Sequence, residues 1–200
     1  MAEKIKFPCI QVAEGEINQR VITCGDPARA ELISKFFDDP VCMAKNREFW
    51  TFNGTYKGVP VSVTSHGVGC GGAAIAFESM WRAGAKVIIR VGTCGGMQPG
   101  IDAGSLVSAT AACREDGVTE KMIPLSYPAV ADGEVVAALS KSAKENGIEV
   151  NKGIILTQAL FYPSFLESKV KLNAKAGVKA MENEVASQLV VASTHNEKAG

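Results

Sequence analysis

The residues best equipped for chemistry in this chain are arginines set beside glycine-rich backbone. In Lys86-Val-Ile-Ile-Arg-Val-Gly-Thr-Cys-Gly-Gly96 an apolar, β-branched run carries Arg90 and then breaks into glycines. A guanidinium stays charged, and a buried one left unpaired costs about 3–5 kcal/mol. Two kinds of partner would satisfy it. One is an Asp or Glu elsewhere in the chain; the other is a phosphate, met also by the Thr93 hydroxyl and by backbone N–H groups that Gly92, Gly95 and Gly96 allow to approach closely. Cys24-Gly-Asp-Pro-Ala-Arg29 offers a second anion site, because Gly25 and Pro27 open a helix whose N-terminal N–H groups face outward with Arg29 one turn in. Its plainer reading is a capping turn with a surface arginine. A third arginine, Arg47, precedes the aromatic pair Phe49-Trp50 and by itself reads as solvated.

Carboxylates and aromatics supply the complementary chemistry. Met181-Glu-Asn-Glu-Val185 places Glu182 and Glu184 one residue apart where a helix begins. Acids there commonly serve the helix dipole. If the chain is extended at Glu182, both carboxylates reach one cleft, where a carboxylate accepts two sugar hydroxyls. Phe161-Tyr162-Pro163 offers either an aromatic face to a heterocycle or ordinary core packing.

Strands and helices alternate around these groups. The pattern predicts strands at 20–24, 50–56, 59–65, 87–91, 105–112 and 153–157. Helices are expected over 27–37, 72–83, from the Asp132 cap to Glu145, and over 182–193, with Asn146-Gly147 ending the third. The expected class is α/β: three layers, αβα, with a mostly parallel, twisted, mixed central sheet and ligands at the carboxyl ends of its strands. Two hundred residues suffice for a single domain that buries about 70% of its unfolded surface.

Composition narrows the partners. The 21 basic and 21 acidic residues cancel, which argues against nucleic acid or an anionic membrane and for a small-molecule substrate. Six scattered cysteines without a C-x-x-C pair, and only two histidines, give no metal site and read as reduced, mostly buried thiols. No apolar leader or membrane-length run is present in the sequence, so the expected compartment is cytoplasmic.

One motif points elsewhere. Gly67-Val-Gly-Cys-Gly-Gly72 satisfies G-x-G-x-x-G between a strand and a helix, the context of a dinucleotide fingerprint. The acidic residue that should follow on the next strand is replaced by Arg90, which would suit the 2′-phosphate of NADP. An NADP-linked oxidoreductase is therefore carried as a third reading, beside a tight turn with close helix packing.

Taken together, Gly25-Asp-Pro-Ala-Arg29, Asn46-Arg-Glu48, Ser65-His-Gly-Val-Gly69, Arg90-Val-Gly-Thr-Cys-Gly95, Arg114-Glu-Asp-Gly117, Tyr127-Pro-Ala-Val-Ala-Asp132, Phe161-Tyr-Pro163 and Glu182-Asn-Glu184 fall in the order and spacing of a known family. The chain resembles the nucleoside phosphorylase-I family, which includes uridine phosphorylases and hexameric purine nucleoside phosphorylases. The resemblance implies that Gly25, Arg29, Arg90 and Thr93 bind phosphate and that Arg47 reaches it from a neighbouring subunit. It also implies that Glu184 binds the ribose hydroxyls, Asn183 lies under the sugar, Glu182 lines the pocket and Phe161 stacks on the base. Arg90 and Glu184 are then the catalytic pair, in a homodimer or trimer of dimers with shared sites, using inorganic phosphate as co-substrate and no cofactor.

Four positions depart from the family pattern. Phe7-Pro8 stands where a histidine is usual, Asn183 where a methionine is usual, and Phe165 and Glu167 match the positions of a uracil-reading Gln and Arg. The family's next strand and the loop with the purine enzymes' aspartate are expected to follow Gly200. These departures leave a catalytically silent nucleoside-binding relative as the alternative. The Arg114–Gly117 and Pro124–Asp132 segments resemble uridine enzymes, and the short connection from Phe161 to Glu182 resembles purine enzymes, with uridine slightly favoured.

Overall fold

A computed structural model describes residues 5–162 and 167–200; Pro163 and Phe165, named above, lie outside them. The elements in chain order are β1 (Arg20–Cys24), α1 (Pro27–Ser34), β2 (Asp38–Asn46), β3 (Phe49–Tyr56), β4 (Val59–Ser65), α2 (Cys70–Ala83), β5 (Val87–Arg90), β6 (Gly95–Gly96) and β7 (Leu106–Glu115). They continue with β8 (Ala129–Val130), α3 (Gly133–Glu145), β9 (Val150–Gln158), α4 (Glu167–Lys175), β10 (Ala180–Glu182), α5 (Val185–Thr194) and β11 (Lys198–Ala199).

The α/β class holds, but the strands form two mixed sheets where the sequence suggests one. Six strands run in the order β11-β5-β1-β4-β3-β2, and five in the order β6-β10-β9-β7-β8. The chain crosses between them after β5, where Gly95-Gly96 pairs antiparallel with Ala180-Met181. In the first sheet β1 lies parallel to both β4 and β5, with Cys24 level with Ser65 and Thr23 level with Arg90. Three adjacent strands therefore end together, and their carboxyl ends deliver Gly25, His66 and Arg90 to one place. In the second sheet β9 lies parallel to β7 and β10, with Thr157 level with both Arg114 and Glu182.

Side-chain alternation explains the layers. Val21 and Ile88 face the larger apolar cluster, where Phe77 and Met80 of α2 meet Leu189 and Val190 of α5. Ile22, Cys24 and Val63 face the other way, toward Ala30 of α1 and Phe37. Phe37 was expected to extend α1; instead turns at Phe36 and Phe37 end the helix at Ser34 and fold the ring into that second cluster.

Besides the short strands β6, β8, β10 and β11, two longer elements were not anticipated. Strand β2 contains Asp38-Asp39-Pro40, and it is tolerated because β2 is an edge whose register breaks across the proline, between Asp38 and Val41. Helix α4 buries no residue, so it carries no apolar stripe to read. Lys198-Ala199 adds a short parallel strand to β5 after α5. The thiols also differ from expectation: Cys24 and Cys70 are buried, Cys9 and Cys113 are half-buried, and Cys42 and Cys94 are exposed.

Candidate active site

The loop after β1 is shaped by capping. Asp26 accepts a hydrogen bond from Ala28 N at 2.8 Å and Pro27 takes the first helical position, so the preceding Gly25 faces the strand ends. A Cβ on Gly25 would lie 2.9 Å from Gly67 O, so only glycine fits this contact between the first two strand ends. Gly67 and Gly69 adopt φ values of +75° and +89°, and a Cβ on Gly67 would meet the Glu48 side chain at 2.7 Å. The G-x-G-x-x-G motif is thus explained by turn geometry and close packing, without a dinucleotide.

The ends of β1, β4 and β5 open into a cavity of about 520 Å³ lined by Gly25, Arg29, Glu48, Gly67, Arg90, Thr93, Phe161, Asn183 and Glu184, with Asp26, Pro27 and Val68. A larger trough of about 870 Å³, over Ile22, Val87 and Ile89, is mostly aliphatic and aromatic; of its charged lining residues Arg20, Lys57, Glu134 and Lys198, the last two are paired with each other. The smaller cavity is the candidate site.

Arg90 stands at its centre with an 8% exposed side chain. Its Nη2 donates to Glu184 Oε2 and lies 3.4 Å from Glu182 Oε2, while its Nε donates to His66 Nε2 at 3.2 Å. A Cβ on Gly92 would come within 2.4 Å of Arg90 Nη1, so that glycine is what lets the guanidinium lie against the backbone. Nη1 makes no hydrogen bond among the described residues. Of the two partners weighed for Arg90, the internal carboxylate is therefore present, and the same arginine still borders the cavity. Gly95 and Gly96 do not serve an anion as anticipated; they pair with β10, and Gly96 packs against Ile101.

The two neighbouring glutamates divide their roles. Glu182 ends β10 and is buried. Its Oε2 accepts from Glu184 N at 2.6 Å and Val185 N at 2.9 Å, and its Oε1 accepts from Thr157 Oγ1 at 2.6 Å. It thus caps the N-terminus of α5, the plainer of the two roles read from sequence. Burial pushes its pKa up, against the Arg90 charge and these donors, which favour the carboxylate. It borders a smaller space of about 100 Å³ beside the main cavity, together with Arg90, Thr93 and Cys94. Glu184, at the N-cap of α5, lines the main cavity, and its Oε1 accepts from Gly69 N at 2.6 Å. The helix begins at Val185, three residues later than expected at Glu182, because β10 runs through Glu182.

The other expected residues fall as follows. Arg29 and Thr93 line the cavity with Gly25; Asn183 lines it and donates Nδ2 to Gln158 O at 2.6 Å. Phe161 lines it while 69% exposed, edge-on to Tyr162 with ring centroids 5.1 Å apart. Arg47 does not reach this cavity. It sits exposed in the β2–β3 turn with φ +51°, and its carbonyl accepts from Trp50 Nε1. Phe7, in place of the usual histidine, packs against the larger apolar cluster. Sequence reading missed the contact between His66 and Arg90, whose one visible signal was a histidine directly after a buried strand. Among the described residues no group of three or more His, Cys, Asp or Glu could hold a metal ion.

Residues 19–199 match the family model of the phosphorylase superfamily, and the chain belongs to that family. It is 38% identical over 193 residues to a purine nucleoside phosphorylase of Plasmodium vivax, covering 96% of this chain and 79% of that protein. It is also 38% identical over 198 residues to a uridine phosphorylase of Thermococcus kodakarensis, covering 93% of this chain and 72% of that protein. Among solved structures, a uridine phosphorylase from Vibrio fischeri superposes with a TM-score of 0.95 at 29% identity, covering all of this chain and 83% of that one. A purine nucleoside phosphorylase from Toxoplasma gondii in complex with immucillin-H superposes at 0.93 with 35% identity, covering all of this chain and 81% of that one.

Proposed function

We propose that this protein is a nucleoside phosphorylase, a pentosyltransferase that converts a nucleoside and inorganic phosphate reversibly to free base and ribose or deoxyribose 1-phosphate. The observation that carries the reading is one cavity lined both by Gly25, Arg29, Arg90 and Thr93, the groups suited to an anion, and by Asn183, Glu184 and Phe161, the groups suited to a sugar and base. Breaking the N-glycosidic bond leaves its electron pair on the departing base and positive charge on the ribose. A phosphate oxygen held beneath the anomeric carbon stabilises that charge and then forms the new C–O bond. Guanidinium groups orient the phosphate. Because Arg90 and Glu184 are paired with each other, substrates act by exchange: phosphate takes the arginine, and ribose hydroxyls take the glutamate. Inorganic phosphate is a co-substrate, and these side chains need no organic cofactor for the chemistry.

The exposed position of Arg47, away from its own chain's cavity, supports a shared site in a homodimer or trimer of dimers, with Arg47 completing a neighbour's phosphate pocket. The substrates are small, balanced net charge favours neither nucleic acid nor a membrane surface, and a cytoplasmic setting suits nucleoside salvage. No helix among the described residues is long and apolar enough to cross a membrane. Uridine ranks ahead of purine nucleosides on the resemblance of the Arg114–Gly117 and Pro124–Asp132 segments.

The test is a panel of uridine, thymidine, inosine, adenosine and guanosine, each with and without phosphate, read by chromatography for released base. Phosphate-dependent release from uridine above the others is the expected result. No release from any member would favour the silent nucleoside-binding relative, and release without phosphate would overturn phosphorolysis.

A further inference from the structure

We propose that His66 is a positioning residue for phosphate capture: its Nε2 holds Arg90 by Nε, so that the guanidinium keeps an edge for phosphate instead of turning wholly onto Glu182 and Glu184. The inference rests on the phosphorylase reading and adds to it a residue that does not line the substrate cavity.

Arg90 is pulled from one side by two carboxylates, Glu184 in direct contact and Glu182 at 3.4 Å. A buried guanidinium between two carboxylates would be expected to fork onto them with two parallel bonds. It does not: Nε is held 3.2 Å from His66 Nε2, so the Nε–Nη2 edge cannot fork onto the acids and Nη2 alone meets them, while Nη1 stays unpaired among the described residues. Since an arginine can only donate, Nε2 must be the acceptor, and the imidazole is the neutral tautomer with its proton on Nδ1.

That ring is chosen for this one bond. His66 has no solvent exposure and packs against Phe77 at 5.4 Å between centroids, with its Nδ1 turned toward the backbone of residues 66 and 67. A leucine would suit the packing, so the polar contact the ring makes with the Arg90 side chain is what the imidazole contributes there. Burial, followed by the neighbouring Arg90 charge, pushes its pKa down to about 3, so at neutral pH it stays an acceptor. The backbone at residue 66 also ties two strand ends together: its main-chain N–H donates to Cys24 O at 2.9 Å, next to Gly25.

The experiment compares wild type, His66→Leu and His66→Gln, whose side-chain oxygen can stand near the Nε2 position. Phosphate and nucleoside KM are measured separately, alongside thermal melts. In His66→Leu the phosphate KM should rise at least about tenfold, with the nucleoside KM within about twofold, and His66→Gln should recover most of the difference. An unchanged phosphate KM, an equal rise in both constants, or no rescue by Gln would overturn the proposal. Wild type that turns over without phosphate would instead overturn the phosphorylase reading. A second measurement needs no variant: ¹⁵N spectra of the wild-type protein should show His66 Nε2 unprotonated and coupled to the Arg90 Nε proton. A protonated Nε2 would refute the assignment even if the leucine variant did not fold.

Discussion

Arg90 and Arg114 are both arginines near the carboxyl ends of parallel strands, and they are satisfied in opposite ways. Arg114, on β7, spends every N–H it has. Nε donates to Thr119 Oγ1, Nη1 to the carbonyls of Pro124 and Tyr127, and Nη2 to those of Thr119 and Ile123. Thr119 is in turn fixed by Asp116, which accepts from Val118 N, Thr119 N and Thr119 Oγ1. That arginine pins a loop and has nothing left to offer a ligand. Arg90 is held at Nε and Nη2 by a histidine and carboxylates, while Nη1 has no partner among the described residues and the residue lines a cavity. A guanidinium at a strand end therefore does not by itself require an external anion. An incomplete set of partners beside open space is what marks Arg90 as the candidate for binding an anion.

The sharpest way to break this contrast is to remove each arginine in turn. Arg90→Ala should lower kcat/KM by about a thousandfold or more, the scale of losing an oriented charge that acts on the transition state. A variant with wild-type steady-state kinetics would end the assignment. For Arg114→Ala the expected loss is one of stability, about 2 kcal/mol in denaturant unfolding, because the loop carbonyls, that of buried Thr119 among them, lose their donor. Its activity should then track the folded fraction. If it unfolds like wild type but loses turnover, Arg114 belongs to the chemistry and the comparison fails.

A pH series sharpens the Arg90 side. Burial lowers the folded-state pKa of His66 from 6.5 to about 3, so its stabilising contribution is present above pH 6.5 and is lost as pH falls toward 3. Unfolding free energies of wild type and His66→Gln should diverge in slope over that window by up to about 1.4 kcal/mol per pH unit. Parallel curves would show that the imidazole is charged in the folded protein. Glu182 works in the other sense: with its pKa raised, its share of stability is greatest at low pH and declines as pH rises past 4.5, so the difference between variants, rather than either curve alone, isolates the histidine. The smallest effect is expected on the Arg114 side. Asp116→Asn keeps one acceptor oxygen for the two backbone N–H groups and should cost about 1 kcal/mol; differential unfolding with the wild type checks it.

Local signals made much of this legible. Strands β1, β3, β4 and β5 were readable because burial imposes alternation or continuous apolar runs, and α3 because Asp132 caps it and Asn146-Gly147 ends it. Strand β2 and helix α4 were not, the first because acids and a proline can occupy an edge, the second because it buries nothing. Within the candidate site, the loop after β1 could be found from Gly25 and Pro27, since backbone conformation is written in those residue types. Which of Glu182 and Glu184 faces the cavity was not, because the choice turns on whether β10 ends before or after residue 182.

The sequence by itself determined the α/β class, the arginine- and glycine-bearing loops and the family, because each follows from residue types and spacing along a continuous stretch. Only the tertiary structure decided that the sheet divides in two, that Glu182 caps a helix while Glu184 lines the cavity, and that Arg90 is tethered to His66 and Arg114 saturated by a loop. Those outcomes depend on distances between segments far apart in the chain, and the number of partners a charged group finds is a property of the folded neighbourhood.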